Sequence, residues 1–372
     1  MLKTYKFRIY PTKAQVEAFE HWLDLCRELY NAALQERRDA WKLNRVSINY
    51  FHQNKQLTEI RQIREDVRDL NSHVCQDQLR RLDKTFKAFF RRVRNGEKAG
   101  FPRFKSKIRF DSFTFPDLKG TKLIGNRLLL SKIGKVKIKL HRAIEGNIKT
   151  VTIKRECGKW FAFFAVECEP KPLPENCEQI GVDVGLKHFA VLSNGEQIKN
   201  PRYFESTQKR LRVAQRRVSR RKKGGNRRRK AIEQLRKIHS KIKNQRADFQ
   251  HKESRKIVNR FGLIAVEDLN ISGLTRSKLS KQINDAGWSG FLEKLAYKAE
   301  SAGREFVKVN PRNTSQNCSG CEVKVSKSLS QRIHKCDSCG LIMDRDENAA
   351  INILKLGNSF QAQTKVNGLS VV

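Results

Sequence analysis

A single acid placed in an apolar strand sets the strictest condition on this chain. In the stretch Gln179-Ile-Gly-Val-Asp-Val-Gly-Leu-Lys-His-Phe-Ala190, Ile180, Val182 and Val184 are β-formers, and Gly181 and Gly185 leave room for another backbone or a ligand to come close. Asp183 lies among them. A carboxylate in such surroundings is costly to desolvate unless something pairs with it, and a divalent cation is the commonest partner of a carboxylate cluster. Asp183 is therefore expected to be the first member of a metal-binding set of acids, on a buried strand that ends in a tight turn.

Charge narrows the class of partner. The 372 residues carry 78 Lys and Arg against 38 Asp and Glu, a net +40. Self-repulsion on this scale calls for a polyanion, and nucleic acid is the leading one. A membrane partner is disfavoured, because no apolar run approaches the length of a bilayer span and Met1-Leu-Lys-Thr-Tyr-Lys lacks a signal-peptide core. A soluble, cytoplasmic protein is expected. Nine cysteines, only four of them in paired spacing, point to a reducing compartment and a metal site. Cys26, Cys75, Cys157, Cys168 and Cys177 read as ordinary buried thiols.

Local patterns divide the chain. Lys3 to Tyr10 alternates as a strand, and a helix follows Thr12, with Gln15 placed to complete its capping box. A second helix is predicted from about Ser72 to Val93, apolar on one face and basic on the other. Short alternating runs at Ser112 to Phe115, Arg127 to Leu130, Lys135 to Leu140, Ile148 to Ile153 and Trp160 to Cys168 predict a small barrel or curled sheet that the first strand joins. Lys171-Pro-Leu-Pro-Glu-Asn reads as a linker. Strands are then expected at Ile180 to Val184, His188 to Ser193 and Glu196 to Lys199, the last two joined by an Asn194-Gly195 hairpin turn. Thr207 to Arg260 predicts two long helices broken at Lys222 to Asn226. Lys209 to Arg260 holds 22 Lys or Arg against three acids. A solvated arm does not explain such an imbalance; a phosphate-facing hairpin does. Leu263 to Leu269 is an apolar run ending in two acids. A helix from about Gly287 to Ala302 and a strand from Glu305 to Val309 follow, and the residues after Gly357 show no usable pattern.

Two constellations carry chemistry. Cys318-Ser-Gly-Cys321 and Cys336-Asp-Ser-Cys339, separated by 14 residues, are spaced to hold one structural zinc ion in four thiolates. The neighbouring His334 is expected as an exposed loop residue. Just after the second pair, Asp346 precedes an Ala-rich apolar run as a natural helix N-cap, which is all such an Asp does in most proteins. Two-metal phosphodiester hydrolysis needs carboxylates converging from separate elements. Asp183, one acid of Glu267-Asp268 and one of Asp344 and Asp346 meet that need on a ribonuclease-H-like sheet, and spacing leaves both choices open.

In order, Gly181-Val-Asp-Val-Gly185, Val266-Glu-Asp-Leu269, the paired knuckles and Asp344-Arg-Asp-Glu-Asn-Ala-Ala350 resemble the RuvC nuclease of the TnpB family. These are transposon-encoded RNA-guided DNA endonucleases similar to compact type V CRISPR effectors. Tyr5 to Asn31, Gly100-Phe-Pro-Arg-Phe104 and Ser315-Gln-Asn-Cys318 are similar too, so the resemblance spans nearly the whole chain apart from its tail. One departure is Glu322, where the family often has Gly. The resemblance implies Asp183, Glu267 and Asp346 as catalytic carboxylates holding two magnesium ions, and Cys318, Cys321, Cys336 and Cys339 as zinc ligands. It implies a multidomain α+β fold. A β-barrel wedge domain would comprise 1–12 and 100–177, with a helical recognition insertion at 13–99. A RuvC domain at 178–315 would contain the basic helical pair 207–260 and be followed by a zinc ribbon at 316–342, a last RuvC segment at 343–356 and a disordered tail at 357–372. A guide RNA from the transposon end and double-stranded target DNA are the implied partners, the RNA complex being monomeric. Tyr50, Gln76 and Thr114 fall where relatives read a short motif beside the target, and Arg220, Arg221, Lys222, Arg227, Arg228 and Arg229 are the basic residues expected to contact nucleic acid. The alternative is a nuclease-dead RNA-guided regulator or a transposition accessory protein, but chains of the former kind lose catalytic acids that are all present here.

Overall fold

The computed structural model describes residues 1–277, 279–328 and 331–366, and divides them into two units, Met1–Glu169 and Pro170–Val372. In the first, β1 (Leu2–Tyr10) leads into α1 (Lys13–Asn44), α2 (Tyr50–Ile63), α3 (Glu65–Arg68) and α4 (Ser72–Arg94). Six strands follow: β2 (Ser112–Phe115), β3 (Thr121–Ile124), β4 (Arg127–Leu130), β5 (Gly134–Lys139), β6 (Asn147–Glu156) and β7 (Lys159–Glu167). They form an antiparallel sheet ordered β2-β6-β7-β1-β5-β4-β3, so β1 pairs on both sides with strands that lie more than a hundred residues later. The alternation that suggested a barrel is satisfied by this open hydrogen-bonded order. Period-2 burial turns Phe7 and Ile9 of β1 inward with Phe113, Phe115 and Phe164. Phe19 and Trp22 of α1 pack on this layer, Phe19 with its ring 4.8 Å from that of Trp160. Thr12 and Gln15 close the capping box at the start of α1. Sequence periodicity did not reveal α2, because only Gln53 and Leu57 of its residues are buried.

The second unit holds β8 (Gln179–Val184), β9 (His188–Leu192), β10 (Gln197–Lys199), α5 (Tyr203–Ser219), α6 (Asn226–Arg260) and β11 (Leu263–Glu267). Then come α7 (Ile271–Leu274), α8 (Ser280–Ala286), α9 (Trp288–Ser301), β12 (Glu305–Val309), β13 (Ile333–Lys335), β14 (Ile342–Asp344) and α10 (Arg345–Val366). Five strands make a sheet ordered β10-β9-β8-β11-β12, with β8, β11 and β12 mutually parallel and β9 antiparallel to both its neighbours. Parallel central strands need cover on both faces, hence the unbroken burial of Leu263 to Val266. Phe189, Phe249 and Phe291 interlock edge to face on one side.

On the other side α10 lies directly on the strands. A Cβ at Gly181 would fall 2.0 Å from the carbonyl oxygen of Ala350, and one at Gly357 would fall 2.6 Å from the Cβ of Ala265. Helix and sheet therefore meet backbone to backbone at Gly181, and at Gly357 the helix backbone rests on the Ala265 methyl group. The segment expected to be a disordered tail is helical as far as Val366; 367–372 lie outside the described residues. Gly357 anchors that continuation against β11, a reason invisible to periodicity. Gly181→Ala is expected to push α10 off β8 and cost about 1–3 kcal/mol or more. Thermal unfolding would check it, and an unchanged melting temperature would contradict the close approach.

Candidate active site

The parallel register brings two acids level. Ile264 stands opposite Ile180 and Val266 opposite Val182, so the next residues, Glu267 and Asp183, come to the same carboxyl end of adjacent strands. Successive side chains alternate faces, and residues level across parallel strands share one. The same rule separates Glu267 from Asp268. Glu267 accepts a hydrogen bond from the Thr314 hydroxyl, whereas the Asp268 side chain is 66% exposed and lies 3.4 Å from Lys308.

The third acid comes from α10. Asp344 Oδ1 accepts the backbone N–H groups of Asp346 (2.8 Å) and Glu347 (3.3 Å), so Asp344 caps the helix. Asp346, which sequence favoured for that cap, sits inside the first turn and keeps its buried carboxylate for the sheet end. Its Oδ2 is 4.0 Å from the Cβ position of Gly185. Arg332 Nη1 approaches Oδ2 to 3.9 Å, and Arg345 Nε approaches Oδ1 to 4.0 Å.

Electrostatics link the three. The Asp183 carboxyl is pushed well above its usual range, first by burial and then by the negative charges of Glu267 and Asp346, with Arg345 opposing. Burial also raises Glu267, against the Thr314 hydrogen bond. Asp183, buried beside two like charges, ionises at a cost that a nearby cation would offset. Among the described residues the oxygens of the three acids do not gather within 4.8 Å as the cysteine sulfurs do. Asp183, Glu267 and Asp346 are the donors that would hold such a cation.

The cysteine cluster is tighter. The Sγ atoms of Cys318, Cys321, Cys336 and Cys339 all lie within 4.8 Å of one another, with Cys318 to Cys339 and Cys321 to Cys336 each at 3.5 Å and no disulfide formed. Tetrahedral zinc with Zn–S near 2.3 Å places sulfurs about 3.8 Å apart, so the set fits the ion. Against the effect of burial, the backbone N–H groups of Cys321 and Gly320 and the neighbouring His334 hold the Cys318 thiol at about 5. His334, expected on an exposed loop, is fully buried on β13 beside Lys327. Glu322, the departure from the resembled pattern, has φ 65°, the left-handed backbone that glycine adopts without strain. Of the remaining thiols Cys26, Cys75 and Cys168 are buried, but Cys177 is exposed and Cys157 half-buried, contrary to their reading as core residues.

Sequence reasoning missed the residues that tie the two clusters together. Asn348, completely buried, accepts from the N–H of Ser319 (2.9 Å) and donates to the carbonyl of Asn317 (2.8 Å). One turn on, Asn352 donates to Thr314 O and Asn317 O. These amides fix the loop that carries both Thr314, the partner of Glu267, and the first knuckle. Two asparagines four residues apart on an otherwise apolar helix face were the available signal.

The expected nucleic-acid residues scatter over both units. In the first, Tyr50 opens α2 and accepts from Arg80 Nε at 3.1 Å, Gln76 is half-buried on α4, and the Thr114 hydroxyl is engaged by Arg81 (2.6 Å) and Thr152 (2.8 Å). In the second, Arg220, Lys222, Arg227 and Arg229 are exposed where α5 turns into α6. Arg228 differs: it donates to the carbonyls of Val218 (2.9 Å) and Arg221 (3.4 Å) and so staples the turn. All three acids between Lys209 and Arg260 are already matched with lysines, in Glu233–Lys237, Asp248–Lys252 and Glu253–Lys256.

Comparison with known proteins decides the family. A curated relative from Streptomyces pristinaespiralis, described as "Putative RNA-guided DNA endonuclease", is 32% identical over 95% of this chain and 89% of its own length. This chain belongs to the TnpB family. InsQ of Escherichia coli (strain K12), which carries the same description, is 30% identical over 97% of this chain and 94% of its own length. The CRISPR-associated endodeoxyribonuclease Cas12f1 of Sulfoacidibacillus thermotolerans is 26% identical over 76% of each chain. Family profiles match as "Probable transposase" over 163–278, "Cas12f1-like, TNB domain" over 288–353 and "Helix-turn-helix domain" over 1–45. In this TnpB-family chain the last range is a strand and one uninterrupted helix, β1 and α1. Among the described residues no helix is long and apolar enough to cross a membrane.

Two outcomes follow from the charges. Because the carboxyl of Asp183 is raised on folding, the metal-free protein should lose stability as pH rises from about 4 through its folded value, and be stabilised there by magnesium. Asp183→Asn should flatten both responses in thermal unfolding; wild-type slopes in the variant would contradict the coupling. Neutralising Arg228 should lower the melting temperature, whereas neutralising Arg227 and Arg229 should leave it unchanged and reduce the salt dependence of RNA affinity. A salt slope equal to wild type would return the arm to a solvated role.

Proposed function

We propose that this chain is an RNA-guided DNA endonuclease that cuts by two-metal hydrolysis. The observation carrying the reading is the convergence of Asp183, Glu267 and Asp346 from β8, β11 and α10 at one end of the sheet in a TnpB-family chain. The strand order, with its first three strands antiparallel and the last two parallel to the central one, supports a ribonuclease-H-like nuclease core. Divalent cations, magnesium in this reading, supply water activation and charge neutralisation at the leaving oxygen. The protein's part is placement. Asp183 and Glu267 are fixed by strand register and Asp346 by the first turn of α10, while Thr314 orients Glu267. Arg332 and Arg345 add positive charge beside Asp346, where a scissile phosphate needs it.

The four cysteines hold one structural zinc ion that fixes the loop leading to Thr314 and α10. A guide RNA from the transposon end directs cleavage to paired DNA next to a short motif, with pairing rather than side chains reading most of the sequence. Tyr50, Gln76 and Thr114 remain candidates for reading that motif. A nuclease-dead regulator is disfavoured, because all three acids are present and mutually oriented.

The deciding experiment purifies the protein from cells carrying its native locus, sequences the RNA that accompanies it and assays matching duplex DNA with and without magnesium. Cleavage should require the RNA and the metal. Asp183→Ala should reduce it to background with RNA binding near wild type. Retained cutting by that variant would sink the site assignment.

A further inference from the structure

The first unit contains a groove of about 930 Å³ that the proposed chemistry does not use, formed by the end of α1, the second half of α4 and residues 101–104. Aromatic rings form its walls. Trp41 is 53% exposed, Phe90 57% and Phe101 48%, so three large rings face solvent together. They are held in place: Phe101 packs edge-on against Phe86 and Phe89, and Phe90 lies within 29° of parallel to Phe86. Cations supply the rim, among them Arg38, Lys42, Arg45 and Arg103. The Arg45 guanidinium sits 5.8 Å over the ring of Trp41. Asp83, the single acid in the lining, is already engaged by Arg37 at 3.3 Å and Lys87 at 3.0 Å.

This combination selects an occupant. An apolar peptide would cover the rings but leave the rim cations without counter-charge. A duplex would meet the cations but keep its bases stacked away from the rings. Single-stranded nucleic acid satisfies both, with bases on aromatic faces and phosphates on the rim. Exposed apolar surface of this kind is also a liability if left bare, so a resident partner suits it better than a transient target. We propose that the groove holds an unpaired stretch of the guide RNA, stacked on Trp41, Phe90 and Phe101 and neutralised by Arg38, Lys42 and Arg103. The proposal rests on the reading that the chain carries such an RNA.

Trp41 is its own probe. Of the four tryptophans, Trp22, Trp160 and Trp288 are 3%, 5% and 6% exposed, so a quencher in solution reaches Trp41 first. Full-length protein stripped of RNA is titrated with a short oligoadenylate RNA, the matching DNA and an RNA duplex. The single-stranded RNA should quench the exposed component, the DNA less so and the duplex not at all. Trp41→Ala and Phe90→Ala should each weaken oligoadenylate binding about tenfold, a typical loss for one stacking partner, without lowering the melting temperature. Binding without quenching, wild-type affinity in both variants, or stronger quenching by DNA would overturn the assignment. Self-association of the wild type that the variants lose would make the groove an interface between copies and overturn it too. Protein from the native locus separates this from the broader reading. If both variants retain their RNA and cut DNA as the wild type does, the groove proposal fails alone; if no RNA accompanies the wild type, the guided-nuclease reading itself fails.

Discussion

The backbone contact between α10 and the sheet is the constraint on which the second unit depends. With no side chain at Gly181, the Ala350 carbonyl reaches the strand, and the first turn of α10 then falls beside the carboxyl ends of β8 and β11. Any thicker residue there lifts the helix and takes Asp346 away from Asp183. The placement of this acid is thus decided by a residue with no functional group, more than a hundred positions earlier in the chain.

The acids themselves resist assembly. Burial and repulsion by neighbouring acids raise the Asp183 carboxyl, and the opposing influence is Arg345. What holds the cluster together lies elsewhere: strand register for two members, a capped helix for the third, and buried asparagines binding helix to loop. Rigidity goes into keeping like charges close.

Much of this was legible in the sequence wherever the signal is local. The four cysteines, the break between α5 and α6 and the β8 strand with its acid were readable because spacing and alternation determine them within a few residues. Legibility failed where the answer lay across the fold. Asp344 rather than Asp346 caps α10, since a cap depends on the first helical residue, which spacing fixes only loosely. His334 is buried because β13 folds back on the cysteine cluster, and α10 continues past Gly357 because that glycine meets Ala265. The aromatic groove draws on three separated segments of the first unit, none of which is conspicuous alone.

The order in which the site's parts leave the ribosome adds one consequence. Asp183 and Glu267 belong to strands that precede the cysteine cluster in the chain, but Asp346 follows them by 163 and 79 residues (346 − 183 and 346 − 267) and comes after the whole cluster. A nascent chain therefore contains the sequence of its basic arm, α5 and α6, before that of the third acid. On the proposed reading, a chain that stops before α10 would keep the basic arm and lack the third carboxylate.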